Sequence, residues 1–98
     1  MTKYVLLYQG GEMPQSPEEG EKTMAAWMAW FGKAGSAILD MGNAFGPAIA
    51  VGASLPDSAV NGYSTLEEAN VEAVKALLSD HPHLAAGGRI EIHETTAM

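Results

Sequence analysis

Two of the three histidines in this chain are separated by a single proline, in the run His81-Pro82-His83, and the third is His93. Imidazoles are the side chains that change charge near neutral pH, so any proton transfer by this protein starts with them. His81 follows Leu77 by four residues and Leu78 by three, which prolongs the apolar face of the helix before it; Asp80 falls on the opposite, solvent side. Two uses of His81 stay open: a cap bonding the last carbonyls of that helix, or a general base. His83 and His93 complete a set of nitrogen donors, yet no carboxylate or thiol joins them at a metal-binding spacing. The chain has no cysteine, so thiol chemistry is excluded as well. No metal and no cofactor is expected. Ser54, Ser58 and Ser64 lack the spacing of a nucleophile elbow, and no phosphate loop is present.

A second group of residues is suited to holding a small apolar ligand: Tyr4, Tyr8, Trp27 and Trp30, with His83 and His93 as polar contacts. The same aromatics would serve equally to pack a helix onto a sheet.

The elements that must position these residues are written in local signals. Lys3 to Gln9 is a strand that is apolar on both faces, Val5 and Leu7 on one and Tyr4, Leu6 and Tyr8 on the other. Such a strand must be covered on both sides. Ser16 is a helix N-cap, Pro17 takes the first helical position, and Glu19 completes a capping box. Met24, Trp27, Met28 and Phe31 then form the apolar stripe, with Trp30 at its margin, before Gly32 and Gly35 end the helix. Ser36 to Asp40 is a second strand. Residues 42–60 are punctuated by glycine and proline, with Ala48 to Val51 as a minor strand or part of a lid. Asn61 to Glu67 is the next strand, and Asn70 caps a helix whose stripe is Val71, Val74, Leu77 and Leu78. In the last strand Ile90 and Ile92 face the helices; Arg89, Glu91 and His93 face away, beside the tyrosines of the first strand.

Assembled, residues 1–98 form a single α+β domain: a ferredoxin-like β-α-β-β-α-β antiparallel sheet with two helices on one face. The face without helices predicts a homodimer with sheets packed together. Five basic against twelve acidic side chains give a net charge of −7, and the scattered Lys3, Lys22, Lys33, Lys75 and Arg89 form no nucleic-acid stripe. No apolar run approaches a membrane span, and the short apolar stretch Tyr4 to Tyr8 is no signal peptide. A soluble, bacterial-type cytoplasmic protein is expected.

The chain resembles the YCII-related domain proteins, including their DGPF-type members. The resemblance rests on KYVLLYQG at the start, SPEEGEKTMAAWMAWFGKAG as the first helix, then GYSTLEE, HPHL and GGRIEIHE, in that order and spacing. It implies a dimeric ferredoxin-like α+β barrel, most of whose members lack an assigned activity. The enzyme-like branch of the family uses a histidine on the first helix and an aspartate before the proline that ends the second. Here the first-helix stretch Met24 to Met28 has no histidine, the pre-proline residue is His81, and LPDSAVN stands before Gly62 where the DGPF motif would be. That pair is therefore not carried over, and His81 needs another partner among Asp40, Tyr63 and Glu94. The resulting expectation is a small enzyme performing His81-assisted proton transfer or elimination on a small aromatic or lactone-like molecule. The alternative is a non-catalytic dimer that binds a small organic ligand or a protein partner.

Overall fold

Strand β1 (Thr2–Gly10) runs through the middle of the sheet and sorts the whole chain into two faces. The computed structural model describes residues 1–56 and 59–96. After β1 come α1 (Pro17–Ala34), a 3-10 turn (Gly35–Ala37), β2 (Ile38–Asp40), β3 (Val60–Glu68), α2 (Val71–Leu78), α3 (Pro82–Ala85) and β4 (Gly88–Glu94). The strand order is β2-β3-β1-β4, and every pairing is antiparallel. This is the α+β ferredoxin-like arrangement expected from the sequence, with one addition: the His-Pro-His turn itself forms a third, short helix.

Side chains directly opposite one another on paired strands share a face. Tyr4, Leu6 and Tyr8 stand opposite Leu66, Ser64 and Gly62 of β3, and opposite Glu94, Ile92 and Ile90 of β4. Tyr4, Leu6, Tyr8 and Leu66 are buried in one cluster with Trp30, Ala34, Val74 and Leu78, so this is the face the helices cover. Val5, Leu7 and Gln9 share the open face with Thr65, Tyr63, His93, Glu91 and Arg89. The tyrosines were expected on the open face beside the charged residues, and the structure corrects this. A strand apolar on both sides does not reveal which side goes in; the register with Ile90 and Ile92 decides it, because a slip of one residue exchanges the faces.

Helix α1 starts as its sequence dictates: Ser16 Oγ accepts the Glu19 N–H at 3.1 Å, while the Glu19 carboxylate reaches back to the N–H of Gln15 at 2.7 Å. Its buried line differs from the expected stripe. Trp30 and Ala34 are buried, Trp27 and Phe31 pack at the edge, and Met24 and Met28 are 63% and 51% exposed. Trp30, placed at the margin by periodicity, is the centre of the contact. Its indole N–H donates to the Leu77 carbonyl at 2.9 Å, a tie between α1 and α2 that fixes the rotation of a helix carrying apolar residues over most of its circumference.

Strand β2 starts at Ile38 because Gly35–Ala37 turns first. Of the two alternatives for Ala48 to Val51, the minor strand is not formed; among the described residues of this segment Ala44 bridges to Gly62, and Ile49 and Val51 are almost fully exposed. Asn70 caps α2 as expected, its side chain accepting from the Ala73 N–H at 3.0 Å. Among the described residues no helix is long and apolar enough to cross a membrane.

Candidate functional site

Past the end of α2, Asp80 and His81 part company as helical phase requires. Asp80 turns outward to Lys33, whose ammonium holds its carboxyl below the usual range. His81 turns inward and is 1% exposed. Its ring does not cap the last carbonyls of α2. The His81 backbone N–H takes the Leu78 carbonyl at 3.0 Å instead, and the ring caps the next helix, with Nδ1 accepting the His83 N–H at 3.0 Å. Pro82 explains the change: it ends one helix and supplies the first residue of another, so the histidine before it becomes an N-cap.

The ring sits in an aromatic box. Its centroid lies 4.4 Å from Trp30, 4.6 Å from Trp27 at a right angle, and 5.4 Å from Tyr8. With Nδ1 committed as an acceptor, the neutral ring carries its proton on Nε2. That Nε2 is the one buried side-chain nitrogen or oxygen without a hydrogen-bond partner among the described residues. Leaving such a group unpaired costs about 1–3 kcal/mol. Burial, followed by the neighbouring His83, pushes the His81 pKa down to about 4, with Asp80 acting weakly the other way, so the ring is neutral at ordinary pH.

Tyr8 closes one side of the box, but its hydroxyl is engaged. It donates to Ser64 Oγ at 2.7 Å, and Ser64 donates onward to the Met41 carbonyl at 2.7 Å. Burial raises the phenol pKa despite the Ser64 bond. His83 packs beside the same walls, 5.4 Å from Tyr8 and 6.0 Å from Trp27 between centroids. Its Nε2 lies 2.9 Å from the Gln9 carbonyl.

The structure gathers some of the expected site residues and separates others. Tyr8, Trp27, Trp30 and His83 surround His81. Tyr4 is buried in the core four residues before Tyr8 on β1, roughly 13 Å from it at the rise of a strand. His93 is on the opposite face of the sheet, bonded to the Glu91 carboxylate, which Arg89 also approaches at 3.4 Å. The His93 contact holds the Glu91 carboxyl below its ordinary range. Asp40 and Tyr63 do meet: the Tyr63 hydroxyl donates to Asp40 Oδ2 at 3.2 Å, Asp40 Oδ1 accepts the Gly42 N–H at 2.8 Å, and Phe45 stacks on the Tyr63 ring at 5.7 Å. Tyr63 stands on the open face opposite Leu7, so neither it nor Asp40 partners His81. Glu94 is exposed at the end of β4, opposite Tyr4. The expected trio of His81, Asp40 and Tyr63 is thus divided between the two faces of the sheet.

Sequence reasoning weighed Ser64 only as a nucleophile, and it missed the Gln9 carbonyl. A buried serine at an inward position of a strand is a legible signal, whereas a carbonyl carries none. Among the described residues, no group of three His, Cys, Asp or Glu side chains could hold a metal ion. Two shallow depressions lie at the surface, one of them bordered by Trp30. One, of about 280 Å³, is bounded by Ala26, Ala29, Trp30, Lys33 and Asp80; the other, of about 300 Å³, is bounded by Glu12, Met13, Glu19, Lys22, Thr23 and Ala86 among others.

No protein-family model and no curated protein matches the sequence. Among solved structures, the chain is similar to the 5-chloro-2-hydroxyhydroquinone dehydrochlorinase of Burkholderia phenoliruptrix AC1100, in its complex with 2,5-dihydroxybenzoquinone. The two are 20% identical over 90% of each chain, with a TM-score of 0.50. At that identity the likeness is one of fold: an antiparallel sheet with its helices gathered on one side.

Proposed function

We propose that this protein is a YCII-related dimeric enzyme that assists proton transfer or elimination on a small, oxygen-bearing aromatic molecule. The observation that carries the reading is the buried, unpaired Nε2–H of His81. A polar group left without a partner in an aromatic box is costly, and an oxygen of a planar ligand would satisfy it. The fold neighbour's hydroxybenzoquinone ligand belongs to the same chemical class. The role differs from the general base expected from the sequence. Because Nδ1 holds the His83 N–H, neutral His81 is a donor, able to stabilise negative charge on a carbonyl or phenolic oxygen as a proton leaves the ligand. Donors of this kind contribute roughly 10²–10³ in rate. Trp27, the half-buried wall, is the side from which such a ligand would enter.

Titration with 2,5-dihydroxybenzoquinone, followed by tryptophan fluorescence and thermal stability, tests the reading. Saturable quenching is expected in the wild type, with affinity about tenfold weaker, or 1.4 kcal/mol, in His81→Asn, which keeps the cap but not the reach of Nε2. Absence of both signals across quinones and hydroxylated aromatics would remove the enzyme reading. Binding that His81→Asn leaves unchanged would favour a non-catalytic binder.

The dimer belongs to the same proposal. Val5 and Leu7 lie at the centre of a sheet face that no helix covers, and a second copy packed sheet to sheet would cover them. Sedimentation at micromolar concentration is expected to give twice the 10.3 kDa chain mass. A stable monomer would overturn it.

A further inference from the structure

Gly88 has no conformational reason to be glycine. The turn before β4 is made by Gly87, at φ 81°, and Gly88 itself is not left-handed. What Gly88 provides is space. A Cβ there would lie 2.3 Å from His83 Nε2, 2.5 Å from Cδ2 and 2.6 Å from Cε1, and a Cβ on Gly11 would meet Cε1 at 2.9 Å and Nδ1 at 3.3 Å. The imidazole of His83 is therefore clasped between the backbone of the loop at Gly11 and that of the first residue of β4. The Gln9 carbonyl, which can only accept, fixes the proton on Nε2. Nδ1 is left with its lone pair. Among the described residues it has no hydrogen-bond partner and is not one of the fully buried unpaired atoms, so part of it reaches the surface of a ring that is 8% exposed.

We infer that the Gly11–Gly88 clasp holds His83 as the proton acceptor of the site, offering Nδ1 to a hydroxyl of the ligand. This rests on the reading of the aromatic box as a site for an oxygen-bearing aromatic. The two imidazoles share Tyr8 and Trp27 as neighbours and present opposite chemistry, an N–H on His81 and a lone pair on His83. A ligand that carries both a hydroxyl and an acceptor oxygen, as phenols and hydroxyquinones do, would answer both. In the transfer the ligand O–H bond breaks and its electron pair stays on oxygen. The proton forms an N–H bond at Nδ1, and His83 becomes an imidazolium whose Nε2–H still bonds to the Gln9 carbonyl.

Two measurements test this. Long-range nitrogen–proton correlation on the free wild-type protein is expected to show His83 protonated at Nε2 and bare at Nδ1; a proton on Nδ1 would overturn the inference whatever the protein binds. The second uses para-nitrophenol, whose phenolate absorbs in the visible. Bound to the wild type, it is expected to gain phenolate colour. His83→Gln keeps an amide donor for the Gln9 carbonyl, and Gly88→Ala evicts the ring; both are expected to lose that gain and to bind about tenfold more weakly. If para-nitrophenol binds all three proteins with the same spectrum, the role of His83 falls and the site stands. If it binds none, the site itself falls, and the ligand role of His83 with it.

Discussion

Between pH 6.5 and pH 4 the folded protein is expected to lose about 3 kcal/mol of stability through one residue, His81, at 1.36 kcal/mol per pKa unit. The pKa of His81 is 6.5 in the unfolded chain and about 4 in the folded one. Above pH 6.5 the ring is neutral in both states, and its contribution is fully present. As pH falls, the unfolded chain takes up a proton that the folded ring refuses, because burial among Trp27, Trp30 and Tyr8 disfavours the charge. Stability drops until the folded ring protonates as well, near pH 4. Urea unfolding at intervals from pH 7 to pH 4 measures this. The comparison is His81→Asn, which retains an acceptor for the His83 N–H but does not titrate. Carboxylates common to both proteins cancel in the difference. The variant should start lower at pH 7, having lost packing, and then decline less steeply. Parallel curves would mean that His81 is not held neutral by the fold.

Gly42→Ala should be among the most damaging single substitutions in the chain, costing more than about 3 kcal/mol. Gly42 has φ 78°, a conformation that side chains resist, and its Cβ would lie 1.7 Å from the Tyr63 carbonyl oxygen and 2.6 Å from its carbon. Both contacts are backbone, so neither can swing aside. The segment over residues 41–45 would have to lift from β3. That would break the Phe45 N–H to Asn61 bond at 2.9 Å, the Tyr63 N–H to Asn43 bond at 3.2 Å, and the acceptor at Met41 that ends the Tyr8–Ser64 chain. Ser64 is fully buried, so losing that acceptor leaves its hydroxyl proton with nothing to bond to. At about 4–8 °C per kcal/mol for a domain of this size, the melting temperature should fall by roughly 12 °C or more. Gly46→Ala, where a Cβ meets nothing within 4 Å, is the control and should stay within about 0.5 kcal/mol of wild type. A Gly42→Ala protein that melts like the control would contradict the close approach.

Much of the candidate site was legible one element at a time. The step of four from Leu77 and three from Leu78 placed His81 inward and Asp80 outward, because helical phase is local. The caps at Ser16 and Asn70 were legible for the same reason, as was the inward alternation of Ile90 and Ile92. What could not be read were relations between elements. Asp40, Tyr63 and His93 looked available to His81 because a sequence does not say which face of the sheet a neighbouring strand presents. Trp30 looked marginal because α1 carries apolar side chains nearly all round.

The glycine clasp makes the same division from the other side. Gly87 announces a turn through its own backbone, while Gly88 owes its identity to a ring five residues earlier in the chain and to the carbonyl of Gln9. The sequence by itself determined the α+β order, the starts of α1 and α2 and the inward direction of one histidine, since each follows from periodicity or capping within a few residues. Tertiary structure alone decided which face of β1 is covered, which aromatics surround His81, and which ring nitrogens of His81 and His83 are engaged by hydrogen bonds. Those follow from strand register and from hydrogen bonds between distant segments, and no local pattern encodes either.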